Sequence, residues 1–185
     1  MALQKLAIDG YGQIELNNCA FRRDGRIEAQ CKLNDVDFEN MPAENGMLLA
    51  VDNVTRTISL PTEEDELIAL VYTAEHLYDE RAMGLKNFKS ELNDFLPRLG
   101  YLALGDKFTT NCVCYDDGEY ADDDTLKAAL TKEALAGAAV YGGISELGRI
   151  KLSATEPEAG PVLKVVLAYT MPDGQYGIKL QCVKA

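Results

Sequence analysis

Apolar and polar residues alternate along parts of the first 60 residues, and this period of two is typical of β-strands. The alternation is clearest at 13–16 and 55–60, and an apolar run lies between them at 47–51. The Arg-Asp-Gly-Arg sequence at 23–26 predicts a hairpin turn, because Asp-Gly supplies the positive φ that such turns need. We therefore expect residues 1–61 to form a β-rich N-terminal segment.

The apolar spacing lengthens after residue 61. Thr62 and the four acidic residues at 63–66 are typical of a helix start, because a capping hydroxyl and negative charges stabilise the first turn. Two amphipathic helices are predicted, at 63–78 and at 86–99. The apolar stripe of the first helix consists of Leu67, Leu70, Val71, Ala74, Leu77 and Tyr78.

The C-terminal part of the chain returns to strand patterns. A β run at 107–115 leads into an acidic loop at 116–124. Asp124 or Thr125 is expected to cap a short alanine-rich helix that ends at Gly137. Three further strands are predicted at 147–154, 161–169 and 176–183, and a Pro-Asp-Gly turn joins the last two.

These elements together predict an α+β fold. It would combine a β-rich N-terminal segment, a central helical pair and a C-terminal antiparallel β-sheet or small barrel. The expected division is an N-terminal arm or subdomain at 1–61, a helical segment at 62–100 and a β-rich part with one short helix at 101–185. With 185 residues the chain is long enough to bury a core without metals or disulfides.

Charge is distributed unevenly along the chain. The whole sequence has 30 acidic and 18 basic residues, and 16 of the acids lie within residues 61–124 together with only 5 bases. The net charge of −12 argues against duplex nucleic acid as a partner. The acidic middle third is interpreted as a solvated face, or as a face turned away from a partner or towards a basic one.

The five cysteines are predicted to be reduced thiols. Their number is odd, their spacing is irregular, and MALQKLAIDGYG does not have the pattern of a secretory signal. Cys112 and Cys114 are two positions apart, so in a strand they would point to the same face and are expected to be small core residues. Their spacing does not match that of zinc ligands, which argues against a zinc site. No run of residues approaches the length of a membrane-spanning helix.

Residues suited to catalysis are scarce. The single histidine, His76, lies beside the apolar stripe of the first predicted helix, where a structural or surface role is expected. The acids at 116–124 do not follow the spacing of a calcium-binding loop, because Gly118 comes too early, and an exposed acidic loop is expected there instead. Neither Gly-Tyr-Gly at 10–12 nor Gly-Gly at 142–143 matches a phosphate-binding motif. The sequence therefore predicts no catalytic residue, no cofactor and no metal site.

Three parts of the sequence resemble virion proteins of tailed bacteriophages: LIALVYTAEHLYD with GLKNF, LPRLGYLALGDKFTTN, and PVLKVVLAYTMPDGQYGIKLQCV. The similarity extends over about residues 65–185 and is to capsid decoration (cement) or head-fibre proteins. The matching positions are packing and turn residues, such as those at 105–106 and 172–174. The resemblance therefore implies a protein that acts through its surfaces and assigns no functional residue.

What the resemblance implies is a non-enzymatic structural protein that binds the outer surface of a phage capsid and stabilises it. The expected partners are the major capsid protein and further copies of the same chain, as a trimer or dimer, without nucleic acid or membrane. The expected location is the exterior of the virion capsid, after assembly in the host cytoplasm. A tail, neck or baseplate component is the alternative, and a small cytoplasmic hydrolase using Cys112 or the acidic loop is a less favoured one.

The partner-binding surface is expected in the extended ends of the chain. Burying unpaired charge is costly, so an interface core should avoid the acidic middle third. The interface residues predicted on this basis are Leu3, Leu6, Ile8, Tyr11 and Ile14.

Overall fold

The computed structural model describes residues 2–63, 65, 67–73, 88–90 and 96–185. Strand makes up 36% of the chain and helix 13%, so the fold is mixed but mostly β. The strands are β1 (Leu3–Lys5), β2 (Ile14–Asn18), β3 (Ile27–Glu28), β4 (Lys32–Leu33), β5 (Leu48–Asp52), β6 (Thr57–Ser59), β7 (Ile68–Val71), β8 (Leu99–Gly100), β9 (Lys107–Thr110), β10 (Val113–Asp116), β11 (Tyr141–Gly143), β12 (Ile150–Ser153), β13 (Val162–Thr170) and β14 (Tyr176–Lys184). The helices are α1 (Phe21–Asp24), α2 (Asp35–Phe38), α3 (Asp123–Ala129) and α4 (Lys132–Gly137).

The strands form two mixed sheets. The eight-stranded sheet has the order β1-β10-β12-β11-β13-β14-β9-β2, and only its β10–β12 pair is parallel. The six-stranded sheet has the order β3-β8-β7-β5-β6-β4, and only its β4–β6 pair is parallel. Neither sheet closes within the described residues, so the alternative of a small barrel is wrong.

The two sheets share one hydrophobic core, and the six-stranded sheet has a second core on its other face. Leu48 of β5 and Leu70 of β7 pack with Phe108 and Leu180 of the eight-stranded sheet. Their neighbours Leu49, Val51, Ala69 and Val71 belong instead to the second cluster, with Phe38 and Phe88. Because successive side chains of a strand point to opposite faces, the central strands of the six-stranded sheet are buried on both sides.

The prediction of a central helical pair is wrong at residues 68–71 and at residue 99, which belong to strands. Residues 68–71 form a strand between β5 and β8, where the first helix was expected. At the end of the second predicted helix, Leu99 and Gly100 form strand β8. The middle of this region, 74–87 and 91–95, lies outside the described residues.

The Asp-Gly hairpin is also wrong, whereas most of the C-terminal prediction is confirmed. Residues 21–24 form the short helix α1, and Gly25 ends it in the left-handed conformation, with φ 75°. The strands predicted at 147–154, 161–169 and 176–183 correspond to β12, β13 and β14. The single β run at 107–115 is divided into β9 and β10, and the single alanine-rich helix into α3 and α4.

Candidate interaction surface

The first 33 residues supply the edge strands of both sheets. Among the described strands, β1 and β2 lie at the two ends of the eight-stranded sheet, and β3 and β4 lie at the two ends of the six-stranded sheet. Each therefore has one backbone edge without a neighbouring strand in the described part of the chain. All are short, and β2 is the longest with five residues. Open strand edges are where another chain can add a strand.

The five predicted interface residues have different environments. Leu6 is only 2% exposed and belongs to the core shared by the two sheets, whereas an interface residue would need exposed surface. The other predicted interface residues are half-buried: Leu3, Ile8, Tyr11 and Ile14. Their assignment to an interface stays a prediction.

The start of the chain is tied to the acidic loop. The Ala2 backbone N–H donates to a carboxylate oxygen of Asp117 at 3.0 Å. The Ala7 N–H donates to Asp123 Oδ2 at 3.0 Å, and Tyr115 donates its hydroxyl to the other oxygen of Asp123 at 2.7 Å. The acidic loop thus holds strand β1 in place, a role that its composition did not indicate.

No calcium-like arrangement is found in the acidic loop. Within the described ranges, no group of three or more His, Cys, Asp or Glu side chains is placed to hold a metal ion. Asp122 instead caps α3, because its side chain accepts from the Thr125 backbone N–H at 2.8 Å. The Thr125 hydroxyl also donates to Asp122, and these bonds hold the pKa of its carboxyl below the ordinary value.

A buried ion pair joins the segments that lead into β5 and β12. Arg149 Nη2 donates to Glu44 Oε2 at 2.6 Å, and the two side chains are 6% and 10% exposed. The Gly12 backbone N–H, just before β2, donates to Glu44 Oε1 at 3.2 Å. A Cβ at Gly12 would lie 2.6 Å from the Asn45 carbonyl oxygen, so only glycine allows this close approach. Glu44 thus connects the segment before β5, in the six-stranded sheet, with the segments before β2 and β12, in the eight-stranded sheet.

The cysteines form no disulfide, and four of the five are buried. Cys112 and Cys114 are both 0% exposed, which confirms that they are buried. The shared strand face is wrong, because Cys114 belongs to β10 whereas Cys112 lies between β9 and β10. Burial raises the pKa of Cys114 to about 11 and that of Cys19 to about 12. Because the thiolate is the reactive form, these thiols are poor nucleophiles at neutral pH. Cys112 lies 3.8 Å from Glu44 Oε2, and burial raises the pKa of its thiol still further.

A cationic cavity lies beside the edge strand β2. Its volume is about 560 Å³, and it is lined by Ile14, Leu16, Arg22, Ile27, Asn45, Tyr72, Thr73 and Arg98. The described lining thus contains two arginines and no carboxylate, in a protein with a net charge of −12. Burial raises the pKa of the Tyr72 hydroxyl, and the positive charges of Arg98 and Arg22 act in the opposite direction.

This cavity is not predictable from the sequence, although Ile14 is among the predicted interface residues. Its two arginines are 76 positions apart in the sequence, and neither belongs to a binding or catalytic motif. The only signal was indirect: basic residues are uncommon in this acidic chain, and Arg98 lies in its most acidic third.

Comparison with known proteins provides no relative. No family model, curated protein or solved structure matches the chain. In the part of the chain that the structure describes, no helix has the length and apolar character needed to cross a bilayer. His76 lies outside the described residues.

Proposed function

We propose that this chain is a non-enzymatic structural protein of a tailed-phage virion that binds the outer surface of the capsid and stabilises it. The observation that supports the proposal most directly is the use of β1–β4 as the edges of both sheets. A partner that adds a strand to such an edge gains backbone hydrogen bonds, and pockets beside the edge provide specificity. The resemblance of residues 65–185 to decoration proteins is the reason for proposing the major capsid protein as the partner.

Exposed apolar side chains lie beside one of these edges. Val54 is 93% exposed in the turn between β5 and β6, and Val36 is 87% exposed in α2, directly after β4. Strand β4 pairs with β6, so the two valines flank opposite ends of the same edge. Isolated exposed valines are common on protein surfaces, but two at one open edge support its use as a contact.

The stabilising mechanism would be mass action. A protein that binds the assembled shell and not its free subunits stabilises the shell by RT ln(1 + [L]/Kd), about 2.7 kcal/mol per site at 100 times Kd. A dimer or trimer of the chain would engage several capsid subunits at once and thereby raise the avidity. Such a protein needs a stable fold and specific edges, and it needs no reactive centre.

The test is co-sedimentation with purified mature heads of the phage that carries this chain. The protein is expected to sediment with the heads at a fixed number of copies and to raise their disruption temperature. Val36→Asp/Val54→Asp should weaken binding, whereas the control Val166→Asp, on the central strand β13, should not. If the wild-type protein does not bind mature heads, the decoration proposal fails; binding to isolated tails or necks would then favour the tail, neck or baseplate alternative.

A further inference from the structure

The cationic cavity contains two buried polar atoms that no described residue satisfies. Asn45 is 7% exposed, and its amide nitrogen donates to the Thr73 carbonyl oxygen at 3.0 Å, which fixes the orientation of the amide. Its Oδ1 atom is buried and accepts no hydrogen bond from any residue that the structure describes. The hydroxyl oxygen of Tyr72 is also buried, and it has no hydrogen-bond partner among the described residues. A buried polar atom without a hydrogen bond is costly, so a ligand that satisfies both groups would be favoured.

The two arginines of the cavity also have no counter-charge in the part of the chain that the structure describes. Arg23, Arg26 and Arg149 take part in ion pairs, whereas the described residues provide none for Arg22 or Arg98. Both of these guanidinium groups line the cavity that contains Tyr72 and Asn45. Arginine presents a planar fork of donors that matches a carboxylate in bidentate geometry. Two unpaired arginines at one cavity therefore favour an anionic ligand.

The backbone positions these groups firmly. The Tyr72 N–H donates to the Arg98 carbonyl oxygen at 2.9 Å, and the Arg98 N–H donates to Thr73 Oγ1 at 3.0 Å. Phe21 is fully buried, and the centroid of its ring lies 4.9 Å from that of Tyr72. Phe21 begins α1, so this packing also sets the position of the next residue, Arg22.

The cavity continues along the edge strand. A second cavity of about 430 Å³ is lined by residues 16–19 together with Arg22 and Arg23. Leu16 and Arg22 line both cavities, so the two adjoin. Strand β2 pairs with β9 on one side, and no described strand lies on its other side. The two adjoining cavities form one groove beside β2. An open strand edge, apolar side chains and cationic groups occur together in this groove.

We propose that this groove binds an extended acidic segment of a partner protein, with its backbone along β2 and a carboxylate between Arg22 and Arg98. A polypeptide supplies all that the groove lacks: a carboxylate for the arginines, backbone N–H donors for Asn45 Oδ1, and apolar side chains for Ile14, Leu16 and Ile27. Inorganic phosphate would satisfy the arginines but not the apolar lining. The inference rests on the proposed function, in that the partner is a protein, and it adds the site and the chemistry of the bound segment.

The test is the binding of a defined peptide. A fluorescein-labelled, amide-capped Thr-Val-Glu-Val-Glu-Val-Thr is titrated with the protein and followed by fluorescence anisotropy, with Gln in place of both Glu residues as the matched control peptide. The Glu peptide should bind at least tenfold more tightly, and raising NaCl from about 50 to 500 mM should weaken it, because salt screens exposed charges.

Protein variants locate the site. Arg22→Gln/Arg98→Gln should reduce affinity at least tenfold, and Tyr72→Phe several-fold. Lys132→Gln/Lys164→Gln makes the same change in net charge at two exposed lysines that line neither cavity, and it should bind normally. Urea unfolding of each variant checks that the fold is retained; because Arg22 and Arg98 are exposed, little loss of stability is expected.

Several outcomes would overturn the inference. Equal binding of the Glu and Gln peptides would show that no carboxylate is recognised, and full affinity in Arg22→Gln/Arg98→Gln would place the site elsewhere. Competition by inorganic phosphate at the peptide's own concentration would indicate a small-anion site. A dimer that dissociates only in the arginine variant would identify a second copy of the chain as the occupant.

Head binding separates this inference from the proposed function. If the wild-type protein and Arg22→Gln/Arg98→Gln bind heads equally, the groove is not the contact and the inference fails, while the decoration proposal stands. If the peptide depends on the arginines but no head binds, the decoration proposal fails and the peptide site stands.

Discussion

Removing one partner of the buried Glu44–Arg149 pair should destabilise the protein far more than removing both. Glu44 accepts from Arg149 Nη2 at 2.6 Å and from the Gly12 N–H at 3.2 Å. Arg149 Nε and Nη1 are buried and have no hydrogen-bond partner among the described residues, so the guanidinium depends on Glu44 for its compensation. The test compares the free energies of unfolding of Glu44→Gln, Arg149→Met and the variant that carries both substitutions.

The expected magnitudes follow from charge burial. Arg149→Met leaves a carboxylate that is 10% exposed without its counter-charge, and breaking a buried pair in this way typically costs about 3–5 kcal/mol. Glu44→Gln leaves the guanidinium charge unpaired but preserves an acceptor for Gly12, and it should cost about 2–4 kcal/mol. The double variant removes both charges and the unpartnered donors of Arg149. We expect it to cost less than either single variant, with a coupling energy of at least 2 kcal/mol.

Urea unfolding measures these differences. The chain has nine tyrosines and no tryptophan, so far-UV circular dichroism and tyrosine fluorescence serve as two independent probes. Coincident transitions and equal m-values are required for the comparison. If the costs of the two single variants add up in the double variant, the charges are not coupled and the reasoning is refuted. Arg149→Lys is a further control, because it keeps the charge and loses the planar fork.

Three further predictions concern local packing, the acidic loop and pH. Gly100→Ala should cost about 1–3 kcal/mol by urea unfolding, because its Cβ would overlap the ring of Phe21; an unchanged midpoint would contradict this packing. Asp123→Asn should lower the free energy of unfolding by about 1–2 kcal/mol, because the carboxylate accepts two hydrogen bonds. The control Asp124→Asn should change it by no more than about 0.5 kcal/mol, because the structure shows no side-chain hydrogen bond for this exposed residue. Burial raises the pKa of thiols such as Cys114 to about 11, so the stability they contribute is present below pH 9 and is lost as pH rises towards 11. Urea midpoints measured from pH 8 to 11 should fall over this window, and the four buried thiols should react with a disulfide reagent only after unfolding.

The C-terminal hairpin was predictable because local chemistry and tertiary structure agree there. The Pro-Asp-Gly turn places a glycine at φ 85° at 174, and the Met171 N–H closes the turn by donating to the Gln175 carbonyl oxygen at 2.8 Å. The flanking runs became β13 and β14, each with nine residues. Short-range turn signals and long apolar runs are sufficient where two strands are neighbours in sequence.

Strand β7 was misinterpreted for a physical reason. Its sequence, Ile-Ala-Leu-Val, is apolar at every position because both faces of the six-stranded sheet are buried. A strand of this kind loses the alternation that identifies a half-buried strand. Its apolar run then joined the later residues Ala74, Leu77 and Tyr78 in a helical spacing. Periodicity alone does not separate a short buried strand from a helix.

The groove could not have been predicted from the sequence because tertiary structure assembles it. Its polar groups come from the start of α1, the segment before β5, and the residues beside β7 and β8. Gly100 lets Phe21 approach β8, and that contact brings Arg22 to the same cavity as Arg98. Phe21 and Gly100 are 79 positions apart, and no local sequence pattern predicts a contact over that separation.

The position of β1–β4 connects stability with the proposed binding. Strand β1 pairs with β10, and β2 with β9, so these edges form only when segments about 90 residues or more apart in sequence have met. Such strands have a hydrogen-bonded neighbour on one side only and are the first to open in native proteins. A partner strand at β2 would provide the missing neighbour and protect the edge. Binding there would therefore stabilise the N-terminal segment itself, so that attachment and completion of the fold reinforce each other.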